Sequence, residues 1–380
     1  KKKKNCKRTM EPMNYIIPFL ILITIVVFIH EYGHYYFAKK YGVGITDFSI
    51  GFGKEIFGWN DKSGTRWKIC WIPLGGYVKF FGDRNVFSES EQQEVINKYN
   101  EEDRKKLFIL KPLYQRSIIV AAGPLANFVL AILIFLIINM ISGKDMTPAV
   151  IDEVVKDSPA FVAGMKKNDK IIFIDDKKVD SILQVSTFIN TSTSEIINFV
   201  ILRNDQEIFL PVKPNLVDGK DSLGNSVKKR MIGIKLSPLN NEFNRQPLGL
   251  SKATYYSFKE VWFVTVTSLN YLGKMFTGSA DTSQLGGPIR IAKITGQISE
   301  HGLIPFFSIM AYISISLGLI NLFPIPMLDG GHLMFYLIEK ILGRPLSQKT
   351  QEGFFRIGLF LLVSLMFFVT FNDLKDLGLF

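Results

Sequence analysis

The chain has 380 residues, room for a membrane part and one modest extramembrane domain. Hydrophobic residues make up 47% of it, Phe alone numbers 32 and mean hydropathy is +0.19, which argues against an ordinary soluble enzyme. The formal net charge of +11 comes without any nucleic-acid-binding module, so it reads as basic surface for anionic lipid and for topology, and no nucleic-acid partner is expected.

The first apolar run extends from Met13 to about Ala38, with Glu31 as its one formal charge. Met13–Ile29 is longer than a signal-peptide core and lacks a small-residue cleavage site, so it reads as a retained span. At its end stands His30-Glu31-Tyr32-Gly33-His34. Two imidazoles four residues apart on a helix lie about 40° apart around the axis and roughly 6 Å apart along it, so both can grip one ion. The Glu beside the first can then act on a water at that ion. Ionisable groups at membrane depth are costly and read first as functional. The competing reading, polar groups merely packed between spans, leaves that cost unexplained.

Residues 47–82 alternate apolar and polar side chains around Asn60-Asp61-Lys62-Ser63-Gly64, which predicts a β-hairpin close to the first span. Ser88 to Lys106 is charged and helix-prone and reads as a surface helix. A second span runs from about Ile118 to Ile141, with Gly123-Pro124 near its start; Asn127 within it is taken as packing. Residues 148–214 hold short β-rich runs around Ser158-Pro159-Ala160 and Ala163-Gly164, a compact α/β module, followed by a polar stretch at 218–225. Val261 to Gly273 is 13 uncharged residues, too short to cross, and reads as an interfacial or domain-packing helix. The third span, Gly302 to Leu328, is 27 uncharged residues broken near its end by Pro324 and Pro326. The fourth is Ile357 to Phe371. The resulting division is 1–142, 143–240, 241–301 and 302–380.

Four spans bring His34 and Asp329 to the same side, whereas a fifth at 261–273 would leave them roughly 30 Å apart. Lys340, Arg344, Lys349 and Arg356 between spans three and four, against Lys375 after the fourth, put that connection and the one between spans one and two on the cytoplasmic side. The Lys-rich residues 1–8 would then lie outside, against the same rule. Two cysteines, Cys6 and Cys70, make neither a disulfide framework nor a zinc spacing.

A catalytic zinc needs three protein ligands and one open position. After the two His, the next His or acid carried by a span is Asp329, in Leu328-Asp329-Gly330-Gly331-His332, just past the Pro break. Broken backbone at membrane depth is tolerated against protein or a water-filled cavity, and hydrolysis there needs such water. A helix-end cap is the competing role for Asp329. His332 is set aside, since Asp329 already completes three positions, and His301 is expected at the interface.

Together these residues resemble the bacterial site-2 proteases, intramembrane zinc metalloproteases of the regulator of sigma-E protease type. The matching segments, in order, are HEYGH at 30–34, GFG at 51–53, PLGGYVK at 73–79, AGPLANF at 122–128, SPA and AGM in the module, GGPIRIA at 286–292, NLFPIPMLDGGH at 321–332, RIG at 356–358 and FND at 371–373. The resemblance implies an α-helical membrane protein with four transmembrane helices, a membrane-associated β-hairpin and one extramembrane PDZ-like α/β domain. It implies Zn2+ held by His30, His34 and Asp329, with Glu31 as general base and later proton donor. Asn321 is implied to hold substrate backbone, although an interhelical hydrogen bond would also account for it. The hairpin residues Gly75, Gly76 and Tyr77 are implied to pair edge-on with an unwound substrate. This agrees with the physics, because a helix buries its carbonyls and strand addition holds a substrate extended.

The implied substrates are single-span membrane proteins, of the anti-sigma-factor or remnant-signal-peptide kind. The implied location is the bacterial inner membrane, in contact with the lipid bilayer, with the PDZ-like domain on the periplasmic side, where it would meet a peptide or substrate ectodomain. The family's best-studied member has two PDZ modules where this chain has one, and Asn168-Asp169 stands where Gly-Asp is commoner. A metal transporter would relay ionisable groups through several spans, yet spans two and four carry none at depth. A catalytically inactive, PDZ-bearing adaptor would be expected to have lost Glu31 or a ligand, and all four residues are present.

Overall fold

The computed structural model describes residues 13–82, 99–192, 194–220, 226–238, 244–276 and 286–376. Its helices, in chain order, are α1 (Met13–Lys40), α2 (Glu101–Arg104), α3 (Leu113–Ile141), α4 (Pro159–Val162), α5 (Ile182–Thr191), α6 (Leu250–Phe276), α7 (Pro288–Ser299), α8 (Leu303–Asn321), α9 (Asp329–Leu342) and α10 (Gln348–Asp376). Among the described residues, α1, α3, α8 and most of α10 are long and apolar enough to cross a membrane, the same four spans as expected from sequence. Two boundaries differ. The third span ends as a helix at Asn321 rather than Leu328, because Pro324 and Pro326 cannot continue the helical ladder. The segment 261–273 belongs to α6, a 27-residue helix that is not among the four. Most of the expected 88–106 helix falls outside the described residues, and α2 is its described remnant.

By its contacts the chain forms two compact units, residues 1–134 with 285–380, and residues 135–284. In the first, α1 buries Leu22, Val26, His30, Gly33 and Ala38, a stripe at helical spacing. The hairpin that follows, β1 (Ile45–Asn60) and β2 (Arg66–Phe80), is rolled on itself. Residues 47–50 pair antiparallel with 76–79 and also lie alongside 66–69, while 57–60 pair with 66–69. Two strands thus form four rows, ordered 76–80, 45–50, 66–70 and 55–60.

The roll is centred on Phe48, which is fully buried. Its ring stacks on Trp67 at 4.2 Å and meets Phe28 and Tyr35 of α1 edge-on at 5.7 and 5.5 Å. Each such pair adds about 0.5–1.5 kcal/mol beyond the area it buries, so the cluster fastens the hairpin to α1. The turn is fastened too. Asp61 accepts hydrogen bonds from Ser63 and Thr65 within the turn and from the Tyr35 hydroxyl at 2.8 Å, and Lys39 stands 3.7 Å away. Burial would raise the pKa of Asp61, but these hydrogen bonds hold it well below the usual carboxylate range.

At the other end of this unit, Asp373 of α10 is buried and accepts from the N–H groups of Gly287, Ile289 and Arg290 at 2.8, 3.0 and 3.1 Å. The carboxylate satisfies orphan donors at the N-terminus of α7 and matches its dipole. Gly358, also on α10, lies against the Pro326 backbone too closely for any Cβ. The RIG and FND segments thus dock the last span against the Pro break and α7.

In the second unit, strands 177–178, 170–174, 197–203 and 206–212 form an antiparallel sheet in that order, and 151–154 pairs with 234–236. Ile197, Phe199 and Ile201 alternate into a core shared with Ile151, Ile171, Ile174, Val185 and Phe188. Arg203 forks onto the buried Asp169 with two contacts of 2.7 Å. Helix α6 joins this unit through Lys259–Asp180 at 2.6 Å and Ser257–Asn139 at 3.2 Å.

Two outcomes follow. Because the folded pKa of Asp61 is depressed, its contribution is present above the unfolded value of about 4 and is lost as pH falls through the folded value. Trp fluorescence should therefore report loosening of the Phe48–Trp67 stack in acid, and Asp61→Asn should remove that pH dependence; an identical acid response in the variant would refute the assignment. Asp373→Ala should lower stability by about 1–2 kcal/mol through the lost cap. An unchanged unfolding temperature in detergent would show that α7 is held by other contacts.

Candidate metal centre

Three of the expected residues meet at one point. His30 Nε2 lies 3.1 Å from Asp329 Oδ2, His34 Nε2 lies 3.5 Å from the same oxygen, and the two Nε2 atoms are 3.2 Å apart. Among the described residues these three form a group able to hold a metal ion. Tetrahedral zinc with bonds of about 2.0–2.1 Å sets neighbouring ligand atoms about 3.3 Å apart, so the triangle has the size of one face of that tetrahedron.

The surroundings fit the same ion. His34 Nδ1 lies 2.9 Å from the carbonyl of Ile119, to which it donates when Nε2 is left free for a metal. His30 needs an equivalent acceptor at Nδ1. The Asn127 side-chain amide lies 3.3 Å from that nitrogen, while Asn127 Oδ1 is buried with no partner among the described residues. A half-turn of the amide puts its oxygen on the His30 Nδ1–H and satisfies both groups. Two imidazoles and one carboxylate, each imidazole oriented through its second nitrogen, match the donor chemistry of zinc.

Sequence explains why these groups can converge. Helices α1 and α3 cross with Gly33 against the Ala122 backbone, and Gly123 leaves room for the His34 ring, whose Cδ2 would stand 2.8 Å from any Cβ there. After α8 the chain turns through Leu322–Leu328, with Met327 in the left-handed region at φ 87°, and re-enters a helix at Asp329. Gly330 and Gly331 fit under the carbonyls of that turn, where side chains would collide with backbone. The first turn of α9, and Asp329 with it, is thereby fixed against the Pro break.

Glu31 stands beside the triangle, with its carboxylate against the backbone N–H of Val78 in β2. Gly76 is the neighbouring hairpin residue, and a Cβ on it would come within 3.4 Å of Glu31 Cγ. Thr24 of α1 donates to the Pro73 carbonyl at 3.3 Å, so the row 73–78 runs along α1 at the level of the site. Gly75 lies against the Phe52 ring, and Tyr77 stacks on the same ring at 6.1 Å. Asn321 is the last residue of α8, part-buried, immediately before the broken segment. His332 packs against Phe355 with ring centroids 5.7 Å apart.

Sequence reasoning missed the part played by α3. The sequence reads Asn127 as packing, yet its amide faces His30. The signal was available as spacing, since Ile119, Gly123 and Asn127 recur every four residues on one helical stripe.

Comparison with known proteins places the chain. The model of peptidase family M50 matches residues 18–365. A protein of Agrobacterium fabrum named "Putative zinc metalloprotease Atu1380" is 40% identical over 363 residues, 96% of this chain and 96% of its own. A Mesorhizobium japonicum protein, "Putative zinc metalloprotease mll0638", is 38% identical over 94% of this chain and 98% of its own. "Metalloprotease MmpA" of Caulobacter vibrioides is 35% identical over 388 residues, covering 96% of each. The chain belongs to peptidase family M50, the site-2 protease family, and is a multi-pass membrane protein and zinc metalloprotease.

Proposed function

We propose that this metalloprotease cuts peptide bonds in or near the transmembrane segments of single-span membrane proteins, as a late step in regulated intramembrane proteolysis of the anti-sigma-factor or remnant-signal-peptide kind. The observation that carries the reading is the ligand triangle itself, two of its corners lying on a helix apolar enough to cross a membrane and the third just past another. When bound by His30, His34 and Asp329, zinc supplies a Lewis acid and makes water acidic enough to lose a proton near neutrality.

The remaining steps belong to the chain. Glu31 accepts the proton of the attacking water and returns it to the leaving amine. The Val78 N–H against its carboxylate orients it for both transfers. The row 73–78 carries Gly75, Gly76 and Tyr77, and we assign it to pairing with an extended substrate segment, the small residues admitting the partner backbone close to Glu31. Asn321 is assigned to holding substrate backbone from the opposite side. The strand-rich unit is assigned as a single PDZ-like module on the periplasmic side of the inner membrane, engaging a peptide or a substrate ectodomain.

Two tests bear on this. In proteoliposomes with a single-span substrate, Glu31→Gln should reduce cleavage by at least ~10²-fold while zinc content stays at one per chain; cleavage equal to wild type would remove the mechanism. Helix-breaking residues placed in the substrate's span should raise its cleavage rate, since the substrate must unwind before it can pair. A rate indifferent to substrate helicity would discard the strand-pairing role of residues 73–78.

A further inference from the structure

Arg116 lies on the same stripe of α3 as Ile119, Gly123 and Asn127, three residues before the carbonyl that meets His34. Its guanidinium forks onto Glu339 of α9, with Nη2 and Nη1 at 2.6 and 3.2 Å from the two carboxylate oxygens. It also stacks over the Tyr336 ring at 5.0 Å and donates through Nε to the Lys111 carbonyl at 3.1 Å. The two side chains are 15% and 19% exposed, so water and salt screen the pair little. Residues 116 and 339 thus join helices that are remote in the chain, and α9 is the helix that opens with Asp329.

We propose that Arg116 is a positioning residue for the third metal ligand, acting through Glu339 to fix the slide and rotation of α9. The inference rests on the assignment of Asp329 as a ligand. Glu339 is ten residues from Asp329, about 15 Å along the helix, so α9 is held at two separated points. One is the glycine turn at 330–331; the other is the fork. With only the first, α9 can pivot. A rotation of ~20° moves a carboxylate carried ~6 Å from the axis by ~2 Å, whereas metal–ligand distances tolerate only about 0.2 Å. A planar guanidinium engaging both carboxylate oxygens resists sliding and twisting together, which a single ammonium contact does not. One stripe of α3 would then reference all three ligands: His34 through Ile119, His30 through Asn127 and Asp329 through Arg116.

The test measures zinc affinity of the full chain in detergent by competition with a chromophoric chelator, alongside the unfolding temperature of the metal-free protein. Arg116→Gln and Glu339→Gln should weaken zinc binding about 10–100-fold, the range for groups that orient metal ligands. Arg116→Lys should fall between these and wild type, and it carries the test should the Gln variants not fold. Exchanging the pair, Arg116→Glu with Glu339→Arg, should recover most of the affinity. A purely structural pair would lower the unfolding temperature and leave the zinc affinity of Arg116→Lys and of the folded Gln variants within twofold of wild type, and that result would overturn the proposal. Asp329→Asn separates the two levels: weakened binding there with unaltered binding in the Arg116 variants refutes the fork alone, whereas unaltered binding in Asp329→Asn removes the ligand and the inference with it.

Discussion

The rest of the site depends on how closely two apolar helices meet. Where α1 crosses α3, Gly33 lies on the Ala122 backbone and the His34 ring lies on Gly123. A methyl group on either glycine would move the helices apart by more than a zinc–ligand bond can follow. Hydrophobicity does not bring these helices together in lipid, because the tails around them are equally apolar; small residues that allow close backbone approach do. The crossing also brings the Ile119 carbonyl and the Asn127 amide to the second nitrogens of the two imidazoles. The residues that permit contact and those that orient the ligands share one helical stripe.

The hairpin is held to the same helix from the other side. Phe48, Trp67 and Tyr35 form an aromatic joint, and Asp61 ties the turn to the residue after His34. Rolling the hairpin uses both edges of residues 47–50 for internal pairing, so the row 76–80 is presented at an outer edge of the sheet. An outer row beside Glu31 is an unusual thing for a protein to leave available, since such edges invite unwanted pairing.

Much of this was legible from sequence, for identifiable reasons. His and acid residues are so costly within spans that HEYGH and LDG stand out against their apolar surroundings, and the structure brings them within ligand distance. Alternation around Asn60–Gly64 announced the hairpin. Its rolled register did not show, because a two-residue period says which face a side chain takes and nothing about which row lies alongside. A run of uncharged residues carries the third span on to Leu328, but such a run measures lipid compatibility rather than helical hydrogen bonding, and the helix ends at Asn321. Asn127 reads from sequence as a packing amide and Arg116 belongs to none of the motifs, while their partners lie 97 and 223 residues away. Spacing along α3 marks a shared stripe, but it does not say which distant residues that stripe meets.

Residues 30 and 34 belong to one end of the chain and 329 to the other, so an ion shared between them is also a cross-link closing a loop of nearly 300 residues. Whatever binds only the folded form adds to its stability by mass action, about 2.7 kcal/mol at a free concentration one hundred times the dissociation constant. Metal supply would therefore govern the lifetime of this protein as well as its turnover. Copies that never acquire zinc would be the looser ones, and the first to reach the cell's quality-control machinery.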